Sequence, residues 1–118
     1  MPTADRPVYL RLRDEIVAMI LDGRIREGDA LPSVRAFAAD QGANPLTVAK
    51  AYQSFQDDGL VTVRRGIGMF VDKGAADRLR RAARAQFLDE EWPEIAQRIR
   101  RLDIDPADLL ERVNLPAF

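Results

Sequence analysis

The fold of this chain can be predicted from residues 33–57, SVRAFAADQGANPLTVAKAYQSFQD. Ser33 and Asn44 are residue types that cap the N-termini of helices, and Pro45 suits the first helical position, where its missing N–H is not needed. Gly42 is typical of a helix end. The stretch therefore predicts two short helices joined by a tight turn, which is the helix-turn-helix pattern.

The neighbouring segments predict a helix before this stretch and a hairpin after it. Apolar residues recur at helical spacing over 8–21, and a short strand is expected around 30–31. Two β-rich runs, 60–63 and 69–71, flank the glycine-containing turn 64–68, RRGIG. A hairpin directly after a helix-turn-helix is typical of a wing, so residues 1–72 are predicted to be a winged helix-turn-helix domain.

Residues 73–118 are predicted to form a helical tail that makes the chain a dimer. A long helical pattern runs over 75–102, where Pro93 predicts a kink or a break, and a last helix begins at Asp105-Pro106. The apolar stripe of this tail is larger than a small winged helix can cover, although packing against the first helix is the alternative. The predicted dimerisation residues are Leu79, Phe87, Leu88, Trp92, Ile95 and Ile99. The expected fold class is mostly α with a small β-hairpin (α+β).

Composition excludes several classes of function. The 118 residues include neither Cys nor His, which removes thiol nucleophiles, imidazole bases and most zinc sites, so we expect no enzyme, no metal and no cofactor. No apolar run is long enough to span a membrane, and the N-terminus lacks the pattern of a signal peptide. The lack of Cys agrees with a reducing cytoplasm, where we expect the protein to act. The net charge of −1 argues mildly against a nucleic-acid partner.

Basic and small residues are nevertheless grouped on three predicted elements. The outward side of the third helix carries Leu46, Ala49, Lys50 and Gln53, with Thr47 on the flank. It has no acidic residue before Asp57, and such a small, basic face fits the DNA major groove. Taken singly, each position has a simpler interpretation: Leu46 and Thr47 as surface residues, Arg35 paired with Asp40 or Asp29, and a charged hairpin tip. The predicted DNA-binding residues are Ser33, Arg35, Asn44, Pro45, Leu46, Thr47, Lys50, Arg64, Arg65 and Gly66.

The chain resembles the winged-helix domain of GntR-type bacterial regulators. The resemblance covers roughly residues 7–72 and is carried, in order, by Val8-Tyr9-Leu10 through Ile16, Gly23, Gly28 to Arg35, Asn44 to Tyr52, Asp58 to Val61, and Arg64 to Val71. It implies DNA contacts from Arg35, from the start of the third helix and from Arg65-Gly66. Many members have Arg where this chain has Ala49, and Lys50 is the alternative source of that charge. The short tail is similar to that of the YtrA subfamily, in which the tail dimerises.

These observations predict a homodimeric repressor that binds a palindromic operator in double-stranded DNA, through helix 44–57 and wing 64–68. The alternative is a winged helix that binds another protein, for which the outward face of the third helix would be apolar or acidic. A small-molecule effector pocket near Trp92 also remains open, although such a tryptophan is more often a dimer-core anchor.

Overall fold

The structure is a computed structural model, and it describes residues 6–113. The architecture is mostly helical with one two-stranded antiparallel hairpin, as the sequence predicts. The elements in chain order are α1 (Val8–Leu21), α2 (Val34–Gln41), α3 (Pro45–Asp57), β1 (Val61–Arg64), β2 (Gly68–Val71), α4 (Ala75–Gln86), a π-helical turn (Phe87–Glu91), α5 (Trp92–Arg101) and α6 (Pro106–Arg112).

Helices α1, α2 and α3 share one hydrophobic core with the hairpin and the first turns of α4. Each helix contributes apolar residues spaced three or four apart, so that they lie on one side of the helix. Ile16, Val48 and Phe55 are completely buried at its centre. The other buried residues are Leu12, Ile20, Ile25, Leu31, Phe37, Ala38, Ala51, Tyr52, Leu60, Val61, Val71, Ala75 and Leu79.

The turn between α2 and α3 has the end groups that the sequence predicts. The hydroxyl of Ser33 accepts a hydrogen bond from the backbone N–H of Ala36 at 3.1 Å, which caps α2. Gly42 ends α2 with a φ of +63°, a left-handed conformation that favours glycine. The Asn44 side chain accepts from the N–H of Leu46 at 2.8 Å, and so fixes where α3 begins.

The hairpin is attached to the helical core by the loop that precedes α2. Strands β1 and β2 pair from Val61 with Val71 to Arg64 with Gly68. The expected short strand at 30–31 is an isolated bridge between Ala30 and Phe70, supported by a 2.8 Å bond from the Leu31 N–H to the Met69 carbonyl. The base of the wing is therefore held by a third segment of chain.

The chain divides into two compact units between Arg80 and Arg81, inside α4. This division lies later than the expected 72/73 boundary, because Ala75 and Leu79 at the start of α4 are buried in the core of the first unit. Within residues 6–113, no helix is both long enough and apolar enough to cross a membrane.

The second unit contains the break that Pro93 predicts. Proline lacks the N–H needed for the helix ladder, and its ring collides with the carbonyl four residues earlier. Here the chain widens just before the proline: the N–H of Trp92 donates to the carbonyl of Phe87, five residues back, which is the π-helical spacing. Helix α5 then begins with Pro93 in its first turn.

Candidate nucleic-acid interface

An open groove of about 630 Å³ separates the start of α2 from the wing. The loop and first residues of α2 form one side, and the hairpin forms the other. Its lining brings together four of the predicted DNA-binding residues. They are Ser33, Arg64, Arg65 and Gly66, and the other lining residues are Leu31, Pro32, Val34, Tyr52, Val63, Ile67, Gly68 and Met69.

The charge of this groove is positive. Among residues 6–113, its lining contains two arginines and no carboxylate. The guanidinium of Arg64 lies 4.7 Å from the centre of the Phe70 ring, a cation–π arrangement that orients the side chain along the wing. Gly66, with a φ of +75°, leaves the tip of the hairpin free of a side chain beside Arg65. An anionic backbone therefore finds both charge and room here.

Arg35 is exposed in the first turn of α2. The two acidic residues considered as its ion-pair partners are engaged elsewhere. Asp29 accepts from the backbone N–H of Arg26 at 2.9 Å, and Asp40 accepts from the side-chain amide of Gln41 at 3.2 Å. Within residues 6–113, no carboxylate forms a salt bridge with Arg35. Its guanidinium is available to a phosphate or a base.

The start of α3 is presented to solvent. Asn44, Pro45 and Leu46 are exposed, and Thr47 is half-buried. Asn44 and Thr47 line a second groove of about 590 Å³, against the N-terminal half of α1. Arg35, Pro45, Leu46 and Lys50 do not line either groove.

Lys50 lies on the exposed side of α3, as the helical periodicity predicts, but its charge is drawn toward α1. The Nζ atom is 4.3 Å from the centre of the Tyr9 ring. A lysine in this position loses no hydration on its open side, so the ammonium remains accessible. Sequence reasoning gave Tyr9 no role at the site, because it lies beside the apolar stripe of α1 and periodicity does not show which side chain of another helix it meets.

Three further residues that position the site were not predicted. The Tyr52 hydroxyl donates to the carbonyl of Pro32 at 2.8 Å and so ties α3 to the loop before α2. Burial raises the pKa of Tyr52 above its ordinary value of 10.0. Arg13 binds Ser54 at 2.8 Å and Asp58 at 2.9 Å. Arg78 donates to the carbonyls of Asp58 and Gly59 at the end of α3.

Five of the six predicted dimerisation residues lie in the second unit. Phe87, Leu88 and Trp92 are 42%, 52% and 43% exposed, and Ile95 and Ile99 are half-buried. The rings of Phe87 and Trp92 lie 6.4 Å apart.

The sixth predicted dimerisation residue, Leu79, is placed differently. It is only 6% exposed and belongs to the core of the first unit, because the first turns of α4 pack there. Leu79 is therefore not part of the exposed apolar surface of the tail.

No cluster of three or more His, Cys, Asp or Glu residues that could hold a metal ion is found in the described part of the chain. The arrangement of residues is that of a binding surface: exposed cations, small side chains and an open groove on neighbouring elements of one compact unit.

Comparisons with known proteins agree with this geometry. The family model described as "Bacterial regulatory proteins, gntR family" matches residues 8–71, which is most of the first unit. The HTH-type transcriptional repressor YtrA of Bacillus subtilis (strain 168) is 30% identical over 104 residues, covering 88% of this chain and 74% of that protein.

Solved structures give the same result. A transcriptional regulator of the GntR family from Bacteroides thetaiotaomicron has a TM-score of 0.64 at 31% identity, covering 89% of this chain and 91% of that chain. The AraR DNA-binding domain in complex with operator ORX1 has a TM-score of 0.53 at 27% identity, covering 56% and 80%. These relatives are regulators and not enzymes. The chain therefore belongs to the GntR family of bacterial regulatory proteins, with the winged helix of a DNA-binding transcription regulator.

Proposed function

We propose that this chain is a homodimeric repressor that acts in the cytoplasm by occupying a two-fold symmetric operator. The observation that carries the proposal is the groove between α2 and the wing, whose lining among residues 6–113 includes Arg64 and Arg65 and no carboxylate. Beside it, Arg35 on the first turn of α2 is exposed and forms no salt bridge with the described residues. The residues proposed to contact DNA are Ser33, Arg35, Asn44, Pro45, Leu46, Thr47, Lys50, Arg64, Arg65 and Gly66.

Each element has a distinct task in this proposal. The exposed first turn of α3 enters the major groove, where the N-terminal residues of a recognition helix meet base edges. Arg35 binds a phosphate or a guanine, since guanidinium geometry matches both. The wing follows the backbone into the minor groove, and Gly66 permits close approach because it carries no side chain.

The second unit supplies the dimer. Phe87, Leu88 and Trp92 expose large apolar areas on neighbouring turns, and Ile95 and Ile99 continue the same side of α5. Burying such a patch against a second copy removes it from water, and aromatic residues are typical anchors of interfaces. A dimer also places two helix-turn-helix units on one operator, which raises specificity above what one unit can read.

The alternative, a winged helix that binds another protein, is supported less well. It calls for an apolar or acidic face on α3 and the wing, whereas α3 carries Lys50 and no acidic residue before Asp57. Among residues 6–113, the groove lining on the wing contains arginines and no carboxylate. A small-molecule effector near Trp92 is not required, because a dimer interface accounts for the exposed aromatic pair.

Selection from a pool of random DNA duplexes tests the proposal. We expect the full chain to enrich a palindrome whose half-sites lie about 10–10.5 base pairs apart or a multiple of that spacing. The variant R35A/R64A/R65A should enrich no sequence. The matched control, R98A/R100A/R101A, removes three exposed arginines from α5 and should enrich the same palindrome as wild type. Failure of wild type to enrich any sequence, or equal enrichment by both variants, would contradict the proposal.

A further inference from the structure

Leu46 is 79% exposed, the highest value for a large apolar side chain among residues 6–113. A single exposed leucine is ordinary on a protein surface. This one, however, lies in the first turn of α3, at the position where a recognition helix meets base edges. An apolar side chain at this position can therefore affect which base pair the protein prefers.

The conformation around Leu46 keeps its side chain out of the core. Asn44 accepts a hydrogen bond from the Leu46 N–H, and Pro45 occupies the first helical position, so the start of α3 is fixed. Val48 and Ala51, completely buried, define the opposite side of the helix. Leu46 therefore cannot turn inward without unwinding this cap.

The two longer polar side chains on the same side of α3 each contact another protein group in the free protein. The ammonium of Lys50 lies over Tyr9, and the Gln53 side-chain amide donates to Asp57 at 3.0 Å. Ala49 is exposed and apolar. The outward surface at this end of α3 therefore includes a hydrocarbon patch, from Leu46 and Ala49, beside the polar Thr47 and Lys50.

Thymine presents a hydrocarbon group in the major groove, its C5-methyl, and unmodified adenine, guanine and cytosine do not. We propose that Leu46 contacts the C5-methyl of one thymine in each half-site and thereby selects thymine at that position. This inference rests on the proposed DNA binding and adds to it the chemical group that the recognition helix reads.

The test replaces each thymine of one half-site, in turn, with deoxyuridine, which lacks only the methyl group. We expect wild type to lose about fourfold in affinity at one position, the change that corresponds to burying one methyl-sized group. The L46A variant should bind the thymine duplex more weakly and lose nothing further on that replacement. L46M, which keeps an apolar side chain of similar reach, should retain the sensitivity to uracil.

Leu110, in α6, is the matched control because it is 77% exposed and lies outside the winged helix. L110A should show the wild-type sensitivity to uracil. Wild type could bind the duplex tightly although no uracil replacement weakens wild type without also weakening L46A. That result would overturn the methyl contact and leave the proposed function intact. Absence of binding to any duplex would overturn both.

Discussion

The Nζ atom of Lys50, on the exposed side of α3, lies 4.3 Å from the centre of the Tyr9 ring, on α1. The contact joins the proposed recognition helix to the first helix at the end where α3 meets DNA in our proposal. Lys50 is the only basic residue of α3, so this contact sets where the positive charge of that helix lies in the free protein.

The Lys50–Tyr9 contact should contribute a measurable coupling energy. In a double-mutant cycle with K50M and Y9L, we expect a coupling of about 0.5–1 kcal/mol in the free energy of unfolding, as is usual for partly exposed cation–π pairs. Urea unfolding at fixed protein concentration measures it. Y9F keeps the ring and should retain the coupling. If the effects of the two single variants simply add, the contact contributes nothing to stability.

Arg35 should contribute to DNA affinity through charge. We expect R35A to weaken binding to the selected duplex by roughly 10- to 100-fold, the range for a lost hydrogen bond to a charged group. If its partner is a phosphate, the slope of log affinity against log salt should also fall by about 1. Fluorescence anisotropy over a salt series measures both. The control is R24A, which removes an exposed arginine just after the C-terminal end of α1. If R35A binds the duplex with wild-type affinity, the proposed docking is wrong.

The cap at Asn44 should stabilise the start of α3. N44A removes the acceptor for the Leu46 N–H, and we expect it to lower the free energy of unfolding by about 0.5–2 kcal/mol. N44D retains an acceptor oxygen and should lose much less. Thermal unfolding of the three proteins measures the effect. Equal stability of N44A and wild type would mean that the cap does not hold α3.

The buried hydroxyl of Tyr52 should make stability depend on alkaline pH. Burial raises the pKa of Tyr52 in the folded protein, so above pH 10.0 the unfolded chain loses this proton while the folded protein keeps it. The free energy of unfolding should therefore fall as pH rises through that range, by at most about 1.4 kcal/mol per pH unit for one proton.

Y52F is the comparison that isolates this proton. It removes the hydrogen bond to the Pro32 carbonyl and should cost about 1 kcal/mol near neutral pH. The advantage of wild type over Y52F should then shrink between pH 10 and about pH 11. A difference between the two proteins that stays constant over this range would refute the assignment of the pH dependence to Tyr52.

The exposed aromatic pair of the tail should hold the dimer together. W92E introduces a charge into the proposed interface, and we expect it to shift the protein to monomer because an unpaired buried carboxylate is costly. Sedimentation velocity measures the state of assembly. Q97E changes an exposed residue on the other side of α5 and should stay dimeric. A W92E protein that remains dimeric would exclude this surface as the interface.

The sequence predicts the fold well where local rules determine structure. Ser33, Gly42 and Asn44 define helix ends through their own backbone bonds, so the positions of α2 and α3 follow from residue type. The wing follows likewise from the RRGIG turn and the flanking apolar residues. Pro93 indicates a break in the tail, although not that the chain would widen into a π-helical turn.

Contacts between distant elements could not be predicted in this way. Periodicity shows which side of a helix faces the core, but not which partner a polar tip meets. The cation–π contact of Lys50 with Tyr9 and the bonds of Arg78 to the end of α3 depend on how helices pack in three dimensions. For the same reason, Leu79 fits the apolar stripe of the tail in sequence yet lies in the core of the first unit.

The central claim is that the start of α2, the start of α3 and the wing form one DNA-binding surface. Amide hydrogen exchange of the full chain, with and without the selected duplex, tests it most directly. We predict that DNA increases protection at residues 33–35, 44–50 and 64–68, and that α5 and α6 are unchanged. Unchanged exchange in those three segments, or protection confined to the tail helices, would contradict the claim.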